Sequence, residues 1–296
     1  MIRWCAYCQS YQGEVEPYDD YSVTHTICEV CVAREAYLSK EPASLESIRR
    51  FFGRLVRVGT GPVPTAAELV AQGAALGLDP ADLLLGIVQP VLYQIGDRWA
   101  RSESTIAEEH RVTALCSALI QLIADADPNV AALRQAQQPE VLLVVAEDNH
   151  HTVGIQILEV LLIRHRISTF TIYPGLPAEE TVRLARSLSP RVVAISAALP
   201  EQLQPVLLVA NQLAESPPGK RPLVVVGGLA LRGENSLPAD APLVPCRDPR
   251  ALLELASRTE AAICTELSTS SSPASAQRSD EPRLALAAPQ VPRLRE

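Results

Sequence analysis

The chain has 296 residues, 47% of them hydrophobic, and a formal net charge of −8 with a pI near 5.3. That length allows two or three compact units with real cores, and the acidity argues against a general nucleic-acid or anionic-membrane surface. The longest apolar runs are of strand length, short of the roughly 18 residues a membrane span needs, and Met1-Ile2-Arg3-Trp4-Cys5 lacks an apolar signal stretch, so a cytoplasmic protein without a membrane segment is expected.

Residues 1–40 hold four of the seven cysteines as two pairs, Cys5-Ala6-Tyr7-Cys8 and Cys28-Glu29-Val30-Cys31, nineteen residues apart. That spacing fits a tetrahedral four-thiolate zinc site, each pair turning both sulfurs toward one ion. A segment this short has little core of its own, so the metal would supply much of its folding energy. His25, three residues before Cys28, reads as a neighbouring group, an alternative ligand or a surface histidine. The segment carries three bases (Arg3, Arg34, Lys40) against six acids (Glu14, Glu16, Asp19, Asp20, Glu29, Glu35). DNA-binding zinc modules are usually basic, so contact with a protein partner or self-association is the expected role.

Residues 41–130 read as a helical layer of about four helices. Ser44 to Val58 spaces Leu45, Ile48, Phe52 and Leu55 along one face. After a break at 59–64, Thr65 and Glu68 form a capping box, Asp79-Pro80 opens another helix, and Pro90 should kink or restart it. Ser104 or Thr105 caps the last helix, which ends at Asp127-Pro128. Trp99, followed after nine residues by Glu109-His110, exceeds what a bundle needs, although aromatics are usually core.

Residues 139–265 alternate strand runs (141–146, 168–173, 191–196, 222–227, 242–245) with helical patterns (153–165, 178–188, 201–215, 249–262), which predicts a doubly wound α/β domain with a parallel sheet. Three loops follow strands: Glu147 to Gly154 with His150 and His151, Ser196-Ala197-Ala198-Leu199, and Gly227-Gly228. Ligands of open α/β sheets bind at such carboxyl ends, and a neutral imidazole there suits a transition metal. No dinucleotide or Walker motif is present. Cys116, Cys246 and Cys264 read as buried or incidental, His165 as a helix-end charge, and the Ser- and Pro-rich residues 266–296 as a disordered tail.

Together the three loops and the preceding helices resemble the cobalamin-binding module of methionine synthase and related corrinoid proteins, over roughly residues 65–265. The family pattern Asp-x-His-x-x-Gly, then a Ser-x-Leu element, then Gly-Gly, stands here as Asn149-His150-His151-Thr152-Val153-Gly154, Ser196 to Leu199, and Gly227-Gly228. The resemblance implies a flavodoxin/Rossmann-like sheet preceded by a four-helix-bundle cap, with the small zinc module N-terminal to both. It implies His151 as the lower cobalt ligand and a cofactor tail lying along Ser196, Leu199, Gly227 and Gly228. An alternative register, Asp148-x-His150, keeps the Asp but puts Val153 where the glycine belongs. Asn149 replaces the family's carboxylate.

Trp99, Glu109 and His110 look like the signature of CarH-type adenosylcobalamin photoreceptors, where these side chains surround the adenosyl group. Here Ala100 stands where those proteins have a histidine, and a cysteine module replaces their basic helix-turn-helix of the MerR kind. The function expected on this resemblance is a non-enzymatic, light- or cobalamin-responsive regulator, a photoreceptor acting in transcription regulation through self- or partner association. A corrinoid methyl carrier of a methyltransferase system is the alternative.

Overall fold

The computed structural model describes residues 1–59, 63–232 and 237–257. The expectations for the end of the last helix, Cys264 and the 266–296 tail lie outside the described residues. The N-terminal segment forms β1 (Ile2–Cys5), β2 (Tyr11–Glu14) and β3 (Val23–Thr26), then the short helices α1 (Glu29–Ala33) and α2 (Ala36–Ser39). Its sheet runs β2-β1-β3, with β1 antiparallel to β2 and parallel to β3. Ile2, Trp4, Tyr11 and Val23 do not form a separate core. They lie in one apolar cluster with the helices that follow.

That helical layer contains α3 (Glu46–Val56), α4 (Ala66–Ala75), α5 (Pro80–Leu83), α6 (Gln89–Ala100), α7 (Ile106–Asp125) and the short α8 (Val130–Leu133). Its boundaries follow local chemistry. Thr65 and Glu68 close a capping box on α4, Thr105 and Glu108 close one on α7, and Asp79 accepts from Ala81 N–H before α5. Pro90 can donate no hydrogen bond to the carbonyl four residues back. The chain meets this with one π turn, Leu84–Val88, in which Gln89 N–H reaches Leu84 O, and α5 continues through it into α6.

The α/β unit follows as β4 (Val141–Val145), α9 (Val153–Arg164), β5 (Thr169–Ile172), α10 (Ala178–Leu188), β6 (Val192–Ser196), α11 (Leu203–Ala214), β7 (Leu223–Gly227), β8 (Val244–Cys246) and α12 (Pro249–Ser257). All neighbours in the order β5-β4-β6-β7-β8 are parallel. Burial on both faces explains the unbroken Val, Leu and Ile runs: α10 and α11 cover one face, α9 and α12 the other. Helix α9 has two apolar sides. Ile155 and Leu162 pack on the sheet, while Ile157, Val160 and Leu161 join the core of the helical layer. No single helix among the described residues is long and apolar enough to cross a membrane.

Where the N-terminal sheet meets α5, Asp82 accepts from Tyr11 N–H at 3.0 Å. Burial pushes the Asp82 carboxyl up to about 6, against the pull of that N–H. The folded chain therefore holds this proton more tightly than an unfolded aspartate of pKa about 3.9, and stability is lost as pH rises from about 4 to about 6. Asp82→Asn keeps an acceptor for Tyr11 and removes the desolvated charge. After allowance for solvent screening, we expect it to stabilise the protein by about 1 kcal/mol at pH 7. The gain should be absent at pH 4, and a urea midpoint at pH 7 no higher than that of wild type would contradict this.

Candidate functional site

The strand order reverses between β4 and β6, whose carboxyl ends are adjacent. Such a switch point is the general ligand site of open parallel sheets. The loop after β4 is fixed residue by residue. Glu147 Oε2 accepts from Ala178 N–H at 3.0 Å, at the start of α10, and Asp148 adopts left-handed backbone at φ 57°. Asn149 is buried at 1% exposure. Its Nδ2 donates to Ser196 O at 3.0 Å, and its Oδ1 accepts from His151 N–H at 2.9 Å.

Those two partners fix which end of the amide is oxygen, because one is a carbonyl and the other a backbone N–H. The same Oδ1 lies 3.1 Å from His151 Nδ1. Facing an acceptor, Nδ1 carries the proton, and Nε2 keeps its lone pair on an exposed ring. The His150 ring is exposed and forms no such bond among the described residues. Gly154, in the first turn of α9, faces open space where a Cβ would stand, so protein packing gives no reason for a glycine there.

The other two loops pack backbone to backbone. Ala197 N–H donates to Gly227 O at 2.9 Å, and Ala230 N–H to Ala197 O at 3.2 Å. A Cβ on Gly228 would stand 2.2 Å from Ala197 O at a φ of +108°, and one on Gly227 would stand 2.9 Å from Cys246 O. Both positions require the missing side chain. Leu199 is exposed at 41% beside Ser196 and Ala197. The sequence reading missed Gln202, which is buried; its Oε1 accepts from Ala198 and Leu199 N–H while its Nε2 donates to Asp148 O. It ties the β6 loop to the β4 loop, and its only sequence signal is a polar residue ahead of an apolar helix. Gly175 was missed too: its Cβ would meet Ala146 O at 2.1 Å.

Trp99, Glu109 and His110 lie where α6 ends and α7 begins, one corner of the helical layer. The indole is 52% exposed. Glu109 Oε1 accepts from Thr113 Oγ1 at 2.6 Å, and its other oxygen lies 3.5 Å from His110 Nε2. Among the described residues, no hydrogen bond or ion pair joins these three to the Asn149–Gly154 loop.

The four N-terminal cysteines converge at the end of β1, the turn after it and the start of α1. Their sulfurs all lie within 4.8 Å of one another, with Cys8 and Cys28 3.7 Å apart. Four thiolates at roughly 2.3 Å from one zinc are about 3.8 Å apart. Cys28 N–H donates to Cys5 Sγ and Cys31 N–H to Cys28 Sγ. Burial works to raise the Cys5 thiol, but the N–H groups of Cys8 and Cys28 aimed at its sulfur outweigh it and hold the thiol at about 6. The donor set and its spacing fit one tetrahedral ion.

Residues 57–123, from the turn after α3 almost to the end of α7, match the family described as "B12 binding domain". The matched residues are those of the helical layer, where the resemblance implied the cobalamin cap. The match covers less than half of the chain and includes neither the four N-terminal cysteines nor the parallel sheet. The fold is similar to that of the monomethylamine corrinoid protein of Methanosarcina barkeri (TM-score 0.55, 14% identity, 72% of this chain and 98% of that one).

Weaker likenesses, both with TM-score 0.38, are to a cobalamin-binding protein from Desulfitobacterium hafniense (14% identity, 74% of this chain, 97% of that one) and to the methanol:cobalamin methyltransferase complex of M. barkeri (18% identity, 81% and 97%). At 14% identity the likeness to the monomethylamine corrinoid protein speaks to fold alone, and nothing rests on the two weaker ones. No curated protein matches the chain.

Proposed function

We propose that the chain binds cobalamin between the helical layer and the carboxyl edge of the parallel sheet, with His151 as the lower ligand of cobalt. The observation that carries this reading is the Asn149–His151 pair, in which the amide holds the Nδ1 proton and leaves Nε2 free at the switch point. When bound, cobalamin would supply a cobalt centre able to accept and release an alkyl group. His151 offers the lone pair below, and Asn149 orients the ring without adding charge. Ser196, Leu199, Gly227 and Gly228 wall the cleft for the cofactor's tail, and Gly154 leaves room beside the histidine.

The use of the bound cofactor that we favour is the carriage of a methyl group between partner enzymes, with the chain as carrier rather than catalyst; the monomethylamine corrinoid protein that shares its fold bears on this. A second reading, an adenosylcobalamin-dependent light sensor, is favoured by one observation: an exposed indole, Trp99, at the end of α6, with Glu109 and His110 in the first turns of α7. In either case Cys5, Cys8, Cys28 and Cys31 hold one zinc ion in a closed structural site. The acidic module around them suits a protein partner or self-association better than DNA.

Reconstitution with methyl- and with adenosylcobalamin, followed by absorbance, tests this. The wild type should take up cobalamin and show histidine-ligated spectra. His151→Ala should lose that signature and bind at least about tenfold more weakly, and unchanged spectra and affinity would refute the assignment. Tighter retention of methylcobalamin supports the carrier. A spectral and oligomeric change under blue-green light, with adenosylcobalamin bound, supports the sensor instead.

A further inference from the structure

We infer that the metal-closed N-terminal sheet is a strut that seats the helical layer on the α/β unit. Occupancy of the four-thiolate site then sets how firmly the two halves of the cobalamin cleft are held together. This rests on the zinc and cobalamin readings above and goes beyond both.

The strut has three ends. At the first, Cys5 closes β1 and Cys28 follows β3, so an ion held by both pins these parallel strands at one edge. At the second, Trp4, next to Cys5 and fully buried, lies against the π turn of the B12-binding helices, where a Cβ on Gly86 would stand 2.4 Å from its ring.

At the third, β2 reaches the α/β unit. Glu14 pairs with Arg232, in the loop that starts at Gly227-Gly228, and Arg250 of α12 donates to Tyr11 O at 3.2 Å while stacking over the Tyr11 ring. Arg232 also lies over Tyr93 of α6, 4.1 Å from its centroid. One arginine from the edge of the cofactor cleft is thus held at once by the N-terminal sheet and by the helical layer.

A sheet of three four-residue strands is marginal alone, and metal binding in such units is folding free energy. Losing the ion should loosen β1 and β3 first, then the Trp4 contact on β1 and, through the pairing of β1 with β2, the Glu14 contact. Neither depends on residues proposed to touch the cofactor.

Amide hydrogen exchange on the full chain, zinc-loaded and then stripped by a chelator at neutral pH, tests the coupling. One zinc per chain is expected. Stripping should speed exchange at Gly86–Val88 and Leu229–Arg232 by about tenfold, the scale of one charge-assisted contact, and leave β4 unchanged. Glu14→Gln should keep its zinc and speed exchange at Leu229–Arg232.

Zinc that binds and leaves with no change at either segment overturns the strut and spares the metal site. Failure to bind zinc at all overturns the metal reading. Should the stripped chain unfold throughout, Glu14→Gln decides: wild-type exchange at Leu229–Arg232 in the zinc-loaded variant overturns the strut. None of these measurements uses cobalamin, so the His151 assignment stands or falls separately.

Discussion

Gly86→Ala should lower the stability of the protein by about 2 kcal/mol, an unusual cost for a helical glycine. Alanine in a helix interior is ordinarily worth up to about 1 kcal/mol more than glycine. Here the added Cβ would stand 2.4 Å from Trp4 Cζ2 and 2.9 Å from both Trp4 Cη2 and Tyr11 Cδ2. The indole cannot retreat: it is fully buried and held edge-on by Tyr11, with ring centroids 5.9 Å apart. Overpacking a filled core costs roughly 1–3 kcal/mol, and this clash, closer than any ordinary contact, belongs at or above the top of that range before the propensity gain is subtracted. Urea unfolding followed by tryptophan fluorescence in a Trp99→Phe background reads both stability and the Trp4 environment. A variant as stable as wild type, with unchanged emission, would show that Trp4 does not sit on the π turn.

Gly86 also marks where sequence reading stops. It lies in Leu83–Val88, an apolar run whose spacing says only buried helix; nothing local announces a tryptophan arriving from the first strand. Gly227 and Gly228 were legible because a glycine pair directly after a Val-rich strand marks a close backbone approach. The central strands β4, β6 and β7 were legible because both faces are buried, and the Thr65–Glu68 capping box because its chemistry is contained within four residues, whereas the cap of α7 was legible only as Ser104 or Thr105. The strands β1, β2 and β3 were not, being four residues each and paired through turns that the cysteines close. Gln202, Gly175 and the Glu14–Arg232 pair act between segments far apart in the chain, so no window of sequence contains both partners. At Asn149 the sequence exposed the departure from the family pattern, while its reason required the Ser196 carbonyl.

Asn149→Asp is expected to weaken the cofactor-free fold and strengthen cofactor ligation together. The amide now uses both ends: Nδ2 donates to Ser196 O, and Oδ1 accepts from the His151 backbone and ring. A carboxylate keeps the second role but turns a lone pair toward the Ser196 carbonyl, in a position only 1% exposed. A buried acceptor left facing another acceptor costs about 2 kcal/mol.

The new carboxyl escapes this by holding a proton that it can donate to Ser196 O, so its folded-state pKa lies above the unfolded value of about 3.9. Stability of the variant is therefore lost as pH rises from about 4 through that raised value: the deficit is absent below about pH 4 and complete at neutral pH. On the cofactor side, a charged acceptor at His151 Nδ1 raises the basicity of Nε2, so cobalamin should bind about tenfold more tightly at neutral pH. Urea midpoints of the cofactor-free variant at pH 4 and 7, set beside its cobalamin affinity, separate the two effects. A variant as stable as wild type at pH 7 would deny the Asn149–Ser196 bond, and an unchanged affinity would deny that His151 meets the cobalt.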